Sequence, residues 1–213
     1  MTIRILGSAA STYTRAVCMA CLEKGVSFEL SEQKLGSVEL RTIHPLGKMP
    51  AMVDGDFVLF ESKAIMTYVD RRFDGPRLVP TDAGGAALVE QWISITNTWI
   101  DVILIRTFLM IYVRAMRAGQ PPAAGELERV MPDVHQALDI LESATNEGYL
   151  VAGTLTLADI NLMPILHRVR GTPEGSASFA ERASLTAYYD MLSTRPSFVA
   201  TNPPDRPPGR EEP

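Results

Sequence analysis

The stretch His44-Pro45-Leu46-Gly47-Lys48-Met49-Pro50-Ala51-Met52-Val53-Asp54-Gly55-Asp56-Phe57-Val58-Leu59-Phe60-Glu61-Ser62 decides the fold. Residues 49–53 and 57–60 are apolar runs on either side of Asp54-Gly55-Asp56. Two such runs around an Asp-Gly turn read as an antiparallel β-hairpin. Ser62 is a natural N-cap, and an amphipathic helix is expected over 63–73.

Ahead of the hairpin, Ile3, Ile5 and Leu6 suggest a short strand and residues 7–11 a polar loop. Residues 14–24 carry helical spacing, closed by Gly25 as the C′ residue. Val26, Phe28 and Leu30 alternate as a half-buried strand does. A loop with Gly36, Pro45 and Gly47 as breakers fills 35–47. The order is β-α-β followed by β-β-α. A parallel pair joined to a hairpin and covered by helices is what a thioredoxin-like α/β domain requires.

Beyond residue 75 the pattern changes. Pro76, Pro80 and a glycine pair read as a linker, after which the strand signal stops. Residues 86–117 are one long apolar-periodic run ended by Gly119-Gln120-Pro121-Pro122. Helices are expected over 126–144, where Pro132 must kink or divide the element, and over 157–169 and 183–193. The resulting division is 1–76, linker 77–85, an all-helical domain 86–200, and a frayed proline-rich tail 201–213.

Composition narrows the class. The 213 residues are 46% apolar and 21% charged, with a net charge of −5. That balance speaks against nucleic acid, which needs a basic surface. No apolar run reaches the ~18 residues of a membrane span, and the N-terminus is no signal peptide. The cytoplasm is the default compartment. Cys18 and Cys21 fall inside the first helix rather than at its start, so they read as buried structural thiols. With no second cysteine pair and with His44, His135 and His167 scattered, no metal site is expected.

The hairpin stretch resembles the glutathione-binding signature of glutathione transferases: roughly N-P-x-G-x-V-P-A-L, a D-G turn, then x-L-x-E-S. Residues 148–153 with Thr156-Leu157-Ala158-Asp159 resemble that family's helical-domain marker, and Arg195-Pro196-Ser197 its closing motif. The loop Gly7-Ser8-Ala9-Ala10-Ser11-Thr12-Tyr13-Thr14-Arg15 is similar to the catalytic-serine loop of the phi class and its theta-like and bacterial relatives. The resemblance implies a cytosolic, homodimeric, metal-free transferase that takes glutathione as co-substrate and a small hydrophobic electrophile.

It also implies roles. Pro50 would be the cis-proline that aims the Met49 backbone at glutathione's cysteinyl unit, paired like an added strand; the alternative is an ordinary trans loop proline. Glu61 and Ser62 would hold the γ-glutamyl amine and carboxylate, or else only cap a helix. Ser11 would donate to the sulfur and favour the thiolate; the alternative is an N-cap with no further role, and Tyr13 and Thr12 are rivals. The phi-type His-Lys pair for the glycine carboxylate is missing, since that loop reads Leu35-Gly36. Lys48 or Lys34 could supply the charge, or Lys48 is only a surface residue. His44 reads as a turn residue near the site.

In the helical half, Thr156 and Asp159 read as a capping pair for folding, not catalysis. On the long helix, Leu109 and Val113, with Arg106 and Tyr112 as polar options and Thr12 opposite, are expected to line the electrophile pocket. Asp101 is a candidate for reaching the γ-glutamyl amine of a partner subunit. Retention of Ser11, Glu61 and Ser62 together favours a conjugating enzyme. Glutathione-dependent dehalogenation, β-ether cleavage or peroxide reduction would use the same site, and a non-catalytic glutathione- or protein-binding scaffold is the other class.

Overall fold

The computed structural model describes residues 2–151 and 153–203; most of the expected tail, 204–213, lies outside them. Its first half runs β1 (Ile3–Gly7), α1 (Thr12–Glu23), β2 (Phe28–Glu32), α2 (Val38–Ile43), β3 (Ala51–Asp54), β4 (Phe57–Phe60) and α3 (Ser62–Arg72). The four strands form one mixed sheet in the order β2-β1-β3-β4. β1 is parallel to β2, with Ile5 opposite Leu30. β3 is antiparallel to both β1 and β4, with Met52 opposite Ile5 and Leu59. This is the expected thioredoxin-like arrangement, and the Asp54-Gly55 hairpin is where the apolar runs placed it.

Two local details depart from the sequence reading. α1 begins at Thr12 rather than Thr14, because Ser11 caps it by accepting the Thr14 N–H at 3.3 Å. The 35–47 loop contains α2, capped by Ser37, which accepts from Leu40 N–H. A Cβ at Gly7 would stand 2.4 Å from Thr14 Oγ1, so only glycine lets β1 end this close to the start of α1.

The second half is all-helical. α4 (Ala83–Ile95) continues through π-helical segments Thr96–Ile100 and Val102–Leu109 into α5 (Met110–Arg117). Then come α6 (Ala124–Ala144), α7 (Leu157–Arg170), α8 (Pro173–Ala180), α9 (Ala183–Ser193) and α10 (Pro196–Ala200). α8 and α10 were not expected; each opens on a proline at its first turn, a helix start rather than a break. Pro132 does not divide α6, which runs unbroken from Ala124 to Ala144. Pro132 and Glu128 are both exposed, so the carbonyl that loses its helical donor can be hydrated. The glycine pair assigned to the linker lies in the first turn of α4, where Asp82 accepts the Gly85 N–H at 2.7 Å.

α7 is the axis of the helical half. Eleven of its fourteen residues are buried, and it packs on α1, α3, α4, α8 and α9. One apolar core therefore runs from Ile3 and Ile5 through α1 and α7 to Tyr188 and Phe198. The connection between the halves is held too. Leu78 is 1% exposed, donates its N–H to the buried Asp70 at 2.8 Å, and accepts the Leu157 N–H at 2.9 Å. Asp70 also pairs with Lys24 at 3.4 Å.

A clamp joins the end of α1 to α10. Arg195 donates to both Glu23 oxygens, at 2.8 and 2.6 Å, and Ser197 adds its hydroxyl. Burial works against the Glu23 charge, but these bonds and the Arg195 charge outweigh it and hold its carboxyl below the ordinary range. A depressed acid stabilises the fold above its unfolded pKa of about 4.3 and loses that stability as pH falls through the folded value. Glu23→Gln should cost about 1.5–3 kcal/mol at pH 7, at the lower end because Arg195 is partly solvated. In urea titrations the gap to the wild type should close as pH drops below about 4. A pH-independent gap would mean that packing, not charge, carries the contact.

Candidate functional site

The sheet register brings the predicted residues to one edge. Leu6 lies opposite Ala51, and Ala51 opposite Phe60. The loop after β1, the residues before β3 and the exit from β4 are therefore neighbours. That places Ser11, Met49-Pro50 and Glu61-Ser62 at the same end of the sheet. The Met49–Pro50 bond is cis. Met49 lies outside the ladders that begin at Ala51, so its N–H and C=O are not part of the β1–β3–β4 pairing.

At the exit from β4 the sequence reading needs correcting. Glu61, not Ser62, is the N-cap of α3, and Ser62 is its first helical residue, 7% exposed. Glu61 takes φ 71°, the one positive φ among the described non-glycine residues. The left-handed region is costly for a residue with a Cβ and recurs at ligand-binding positions. No side chain caps α3. Its first N–H groups and the Ser62 hydroxyl, beside the cis peptide, are the kind of donors that suit an anion.

His44 contributes more than a turn. It is 3% exposed, its ring lies 4.7 Å from that of Phe60, and its Nδ1 accepts the Leu46 N–H at 3.0 Å. That bond needs a lone pair on Nδ1, so the neutral ring carries its proton on Nε2, which faces Glu61 Oε1 at 3.5 Å. His44 thereby steadies the exposed Glu61 carboxylate. Sequence spacing gave no sign of this pairing, because the whole β3–β4 hairpin separates the two residues.

The loop where a glycine-carboxylate anchor was expected holds more charge than the sequence reading named. Lys48 and Lys34 are exposed, as expected for either role. A third cation lies here: Arg41 donates from Nε to Gly36 O at 3.0 Å, and its guanidinium covers the position a Cβ of Gly36 would fill.

Ser11 is half-buried. Its oxygen accepts from Thr14 N–H while its own proton stays available to donate. The loop before it is held from both halves of the chain. Ala9 N–H donates to Glu32 at 2.8 Å, and Arg168 of α7 donates to the Ala10 carbonyl at 2.6 Å. Tyr13 is drawn elsewhere. Burial first, and then Asp101, raise its hydroxyl above the usual phenol range. Arg15 turns away from the site, with its guanidinium 4.0 Å from the Phe198 ring centre and donating to Phe198 O at 3.0 Å. It also bonds Thr201 and Asn202, so the first residues of the expected tail are packed, not frayed.

A model of the glutathione S-transferase N-terminal domain matches residues 6–77, and one of the C-terminal domain matches residues 102–196. Glutathione S-transferase 3 of Zea mays is 31% identical over 210 residues, covering 93% of this chain and 92% of that protein. The chain belongs to the glutathione S-transferase family. Glutathione S-transferase F10 of Arabidopsis thaliana is also 31% identical, over 93% of this chain and 95% of its own. A solved glutathione S-transferase III in apo form superposes with a TM-score of 0.85 at 27% identity, covering 98% and 100% of the two chains.

The long-helix residues of this transferase separate into two groups. Leu109 and Val113 are half-buried and available to line a cleft, as is Thr12. The Tyr112 hydroxyl is buried with no hydrogen-bond partner among the described residues, and its ring meets Phe108 edge-on at 5.6 Å, so it offers a ring surface and not a polar group. The Asp101 side chain is 1% exposed and accepts from Arg106 at 2.6 Å within its own chain, an ion pair the sequence reading did not foresee. Cys18 and Cys21 are buried in α1, and burial pushes the Cys18 thiol up to about 12, consistent with inert core residues. Among the described residues no group of three or more His, Cys, Asp or Glu could hold a metal, and no helix is long and apolar enough to cross a membrane.

Proposed function

We propose that the chain activates the glutathione thiol through Ser11 and transfers it to a small hydrophobic electrophile. The observation that carries this is the meeting of three devices at one sheet edge: the cis Met49–Pro50 bond, the uncapped N-terminus of α3, and a serine hydroxyl with a free proton. Glutathione's cysteinyl unit would pair with the Met49 backbone as a short added strand. Its γ-glutamyl carboxylate would sit on the α3 N-terminus and Ser62, and its amine on Glu61. Lys48 would take the glycine carboxylate, with Arg41 beside it. Leu109, Val113, Thr12 and the Tyr112 ring would bound the electrophile, with Arg106 at its polar side.

This reading makes the protein a serine-type, phi/theta-like transferase with a glutathione-binding unit over 1–76 and a helical unit over 86–200, working in the cytoplasm. A homodimer is supported by the outer face of the first unit. Phe57 and Val58 are 46% and 45% exposed there, beside an open groove of about 530 Å³ along α3, lined by Leu59, Ala64, Thr67 and Tyr68. The protein should be retained on immobilised glutathione, elute with free glutathione, and conjugate chlorodinitrobenzene. Passage through the resin without retention would overturn the reading.

A further inference from the structure

We propose that Arg106 selects the second substrate, holding a carboxylate or comparable anion carried by the electrophile beside the Ser11 loop. The inference rests on the transferase reading above and goes on to name its substrate class: acidic electrophiles.

The geometry is that of a cation fixed in place and left open. Arg106 Nε donates to Asp101 Oδ2 at 2.6 Å, with the Asp101 side chain 1% exposed and that of Arg106 63% exposed. One edge of the guanidinium is therefore anchored on a buried carboxylate, and the rest faces solvent. Arg106 pairs with no other acidic side chain among the described residues. Tyr13, in the first turn of the helix that Ser11 caps, lies against both charges, which places the guanidinium against the start of α1. The Tyr13 hydroxyl is held protonated there, so it adds no competing anion.

A purely structural role explains this poorly. Burying a carboxylate is expensive, and an ion pair seldom repays more than an apolar pair of the same shape. Here the cost is incompletely met, since Asp101 Oδ1 has no hydrogen-bond partner among the described residues and, Arg106 apart, only the Tyr13 hydroxyl lies near the carboxylate. What the arrangement provides is orientation. A free arginine loses rotamer freedom when it binds; one already held at Nε has lost it beforehand. Its two terminal nitrogens then present the fork that matches a carboxylate. Both carboxylates of glutathione are placed elsewhere in the proposed site, at the α3 N-terminus and at the Lys48 end. The anion that Arg106 faces belongs to the other substrate.

The test uses 4-chloro-3,5-dinitrobenzoate and its methyl ester with glutathione, each rate taken relative to the uncatalysed reaction. The wild type should prefer the acid. Arg106→Gln should lower the acid-to-ester ratio of kcat/KM at least ten-fold, through KM for the acid. Because the readout is a ratio, a general loss of activity cancels. If Arg106→Gln strands the Asp101 charge and unfolds the chain, the double variant Asp101→Asn/Arg106→Gln leaves no buried charge and should show the same fall. An unchanged ratio in either folded variant, or a wild type without preference for the acid, overturns the proposal. A wild type that turns over neither compound overturns the transferase reading itself.

Discussion

Ser11→Ala is expected to lower kcat/KM for chlorodinitrobenzene about 5- to 25-fold at pH 7, with the protein still retained on glutathione. A free thiol with a pKa near 8.5 is only about 3% ionised at pH 7. If the Ser11 hydroxyl and the N-terminus of α1 together lower that pKa by about two units, roughly three quarters is thiolate, about 25 times more. Part of this gain is returned, because a less basic thiolate is intrinsically a weaker nucleophile. The pH profile is therefore the sharper measurement. The apparent pKa of kcat/KM should move up by about two units in the variant, and the two enzymes should converge toward pH 9. The alternative role of Ser11, capping α1 through the Thr14 N–H, predicts something else: a loss of about 1 kcal/mol in stability with the profile unmoved. Tyr13→Phe is the companion control. With its hydroxyl lying against Asp101 and Arg106, Tyr13 should leave the kinetic pKa where it is. A profile that moves with Tyr13 and not with Ser11 would reassign the donor.

The parts of this fold that could be read from sequence are those whose signal is local. The Asp54-Gly55 hairpin, the Gly25 stop after α1 and the Thr156–Asp159 pair each lie within a few residues of one another, and each was found in place. The site residues carried by motif, Met49-Pro50 and Glu61-Ser62, also came together, because strand register converts their spacing into proximity. What could not be read depends on tertiary context. Glu61 rather than Ser62 caps α3 because the chain leaves β4 through a left-handed residue, which residue preferences argue against. His44 reaches Glu61 across the sheet edge, and Arg168 reaches Ala10 from the far half of the chain.

Asp101 and Arg106 show a subtler limit. In an α-helix residues five apart point about 140° away from each other, so their spacing gave no sign that the two pair. The segment Val102–Leu109 is π-helical, with bonds closing five residues apart. That winding brings positions 101 and 106 toward one face and makes the ion pair possible.

The largest stability effect should come from a residue with no part in the chemistry. Asp159→Ala is expected to cost at least about 4 kcal/mol and to leave little folded protein at 37 °C. The Asp159 carboxylate is fully buried and accepts four bonds: Thr156 N–H at 2.8 Å, Thr156 hydroxyl at 2.9 Å, Leu150 N–H at 2.9 Å and Tyr188 hydroxyl at 3.0 Å. Together they start α7, fix the chain entering it, and tie it to α9. Removing the acceptor strands four buried donors, each costing about 1–3 kcal/mol if water cannot reach it. Partial relaxation reduces the sum, but against a total stability of about 5–15 kcal/mol the remainder decides whether the chain folds. Thr156→Ala removes one cap and one donor together, so its cost should stay near 1 kcal/mol. Tyr188→Phe likewise deletes a donor and leaves the carboxylate three partners. The ordering Asp159→Ala far above Thr156→Ala and Tyr188→Phe, read from urea midpoints, separates an obligatory acceptor from a merely well-packed side chain. Equal costs for the three would mean that α7 is held by its apolar contacts, and that the buried carboxylate is incidental to them.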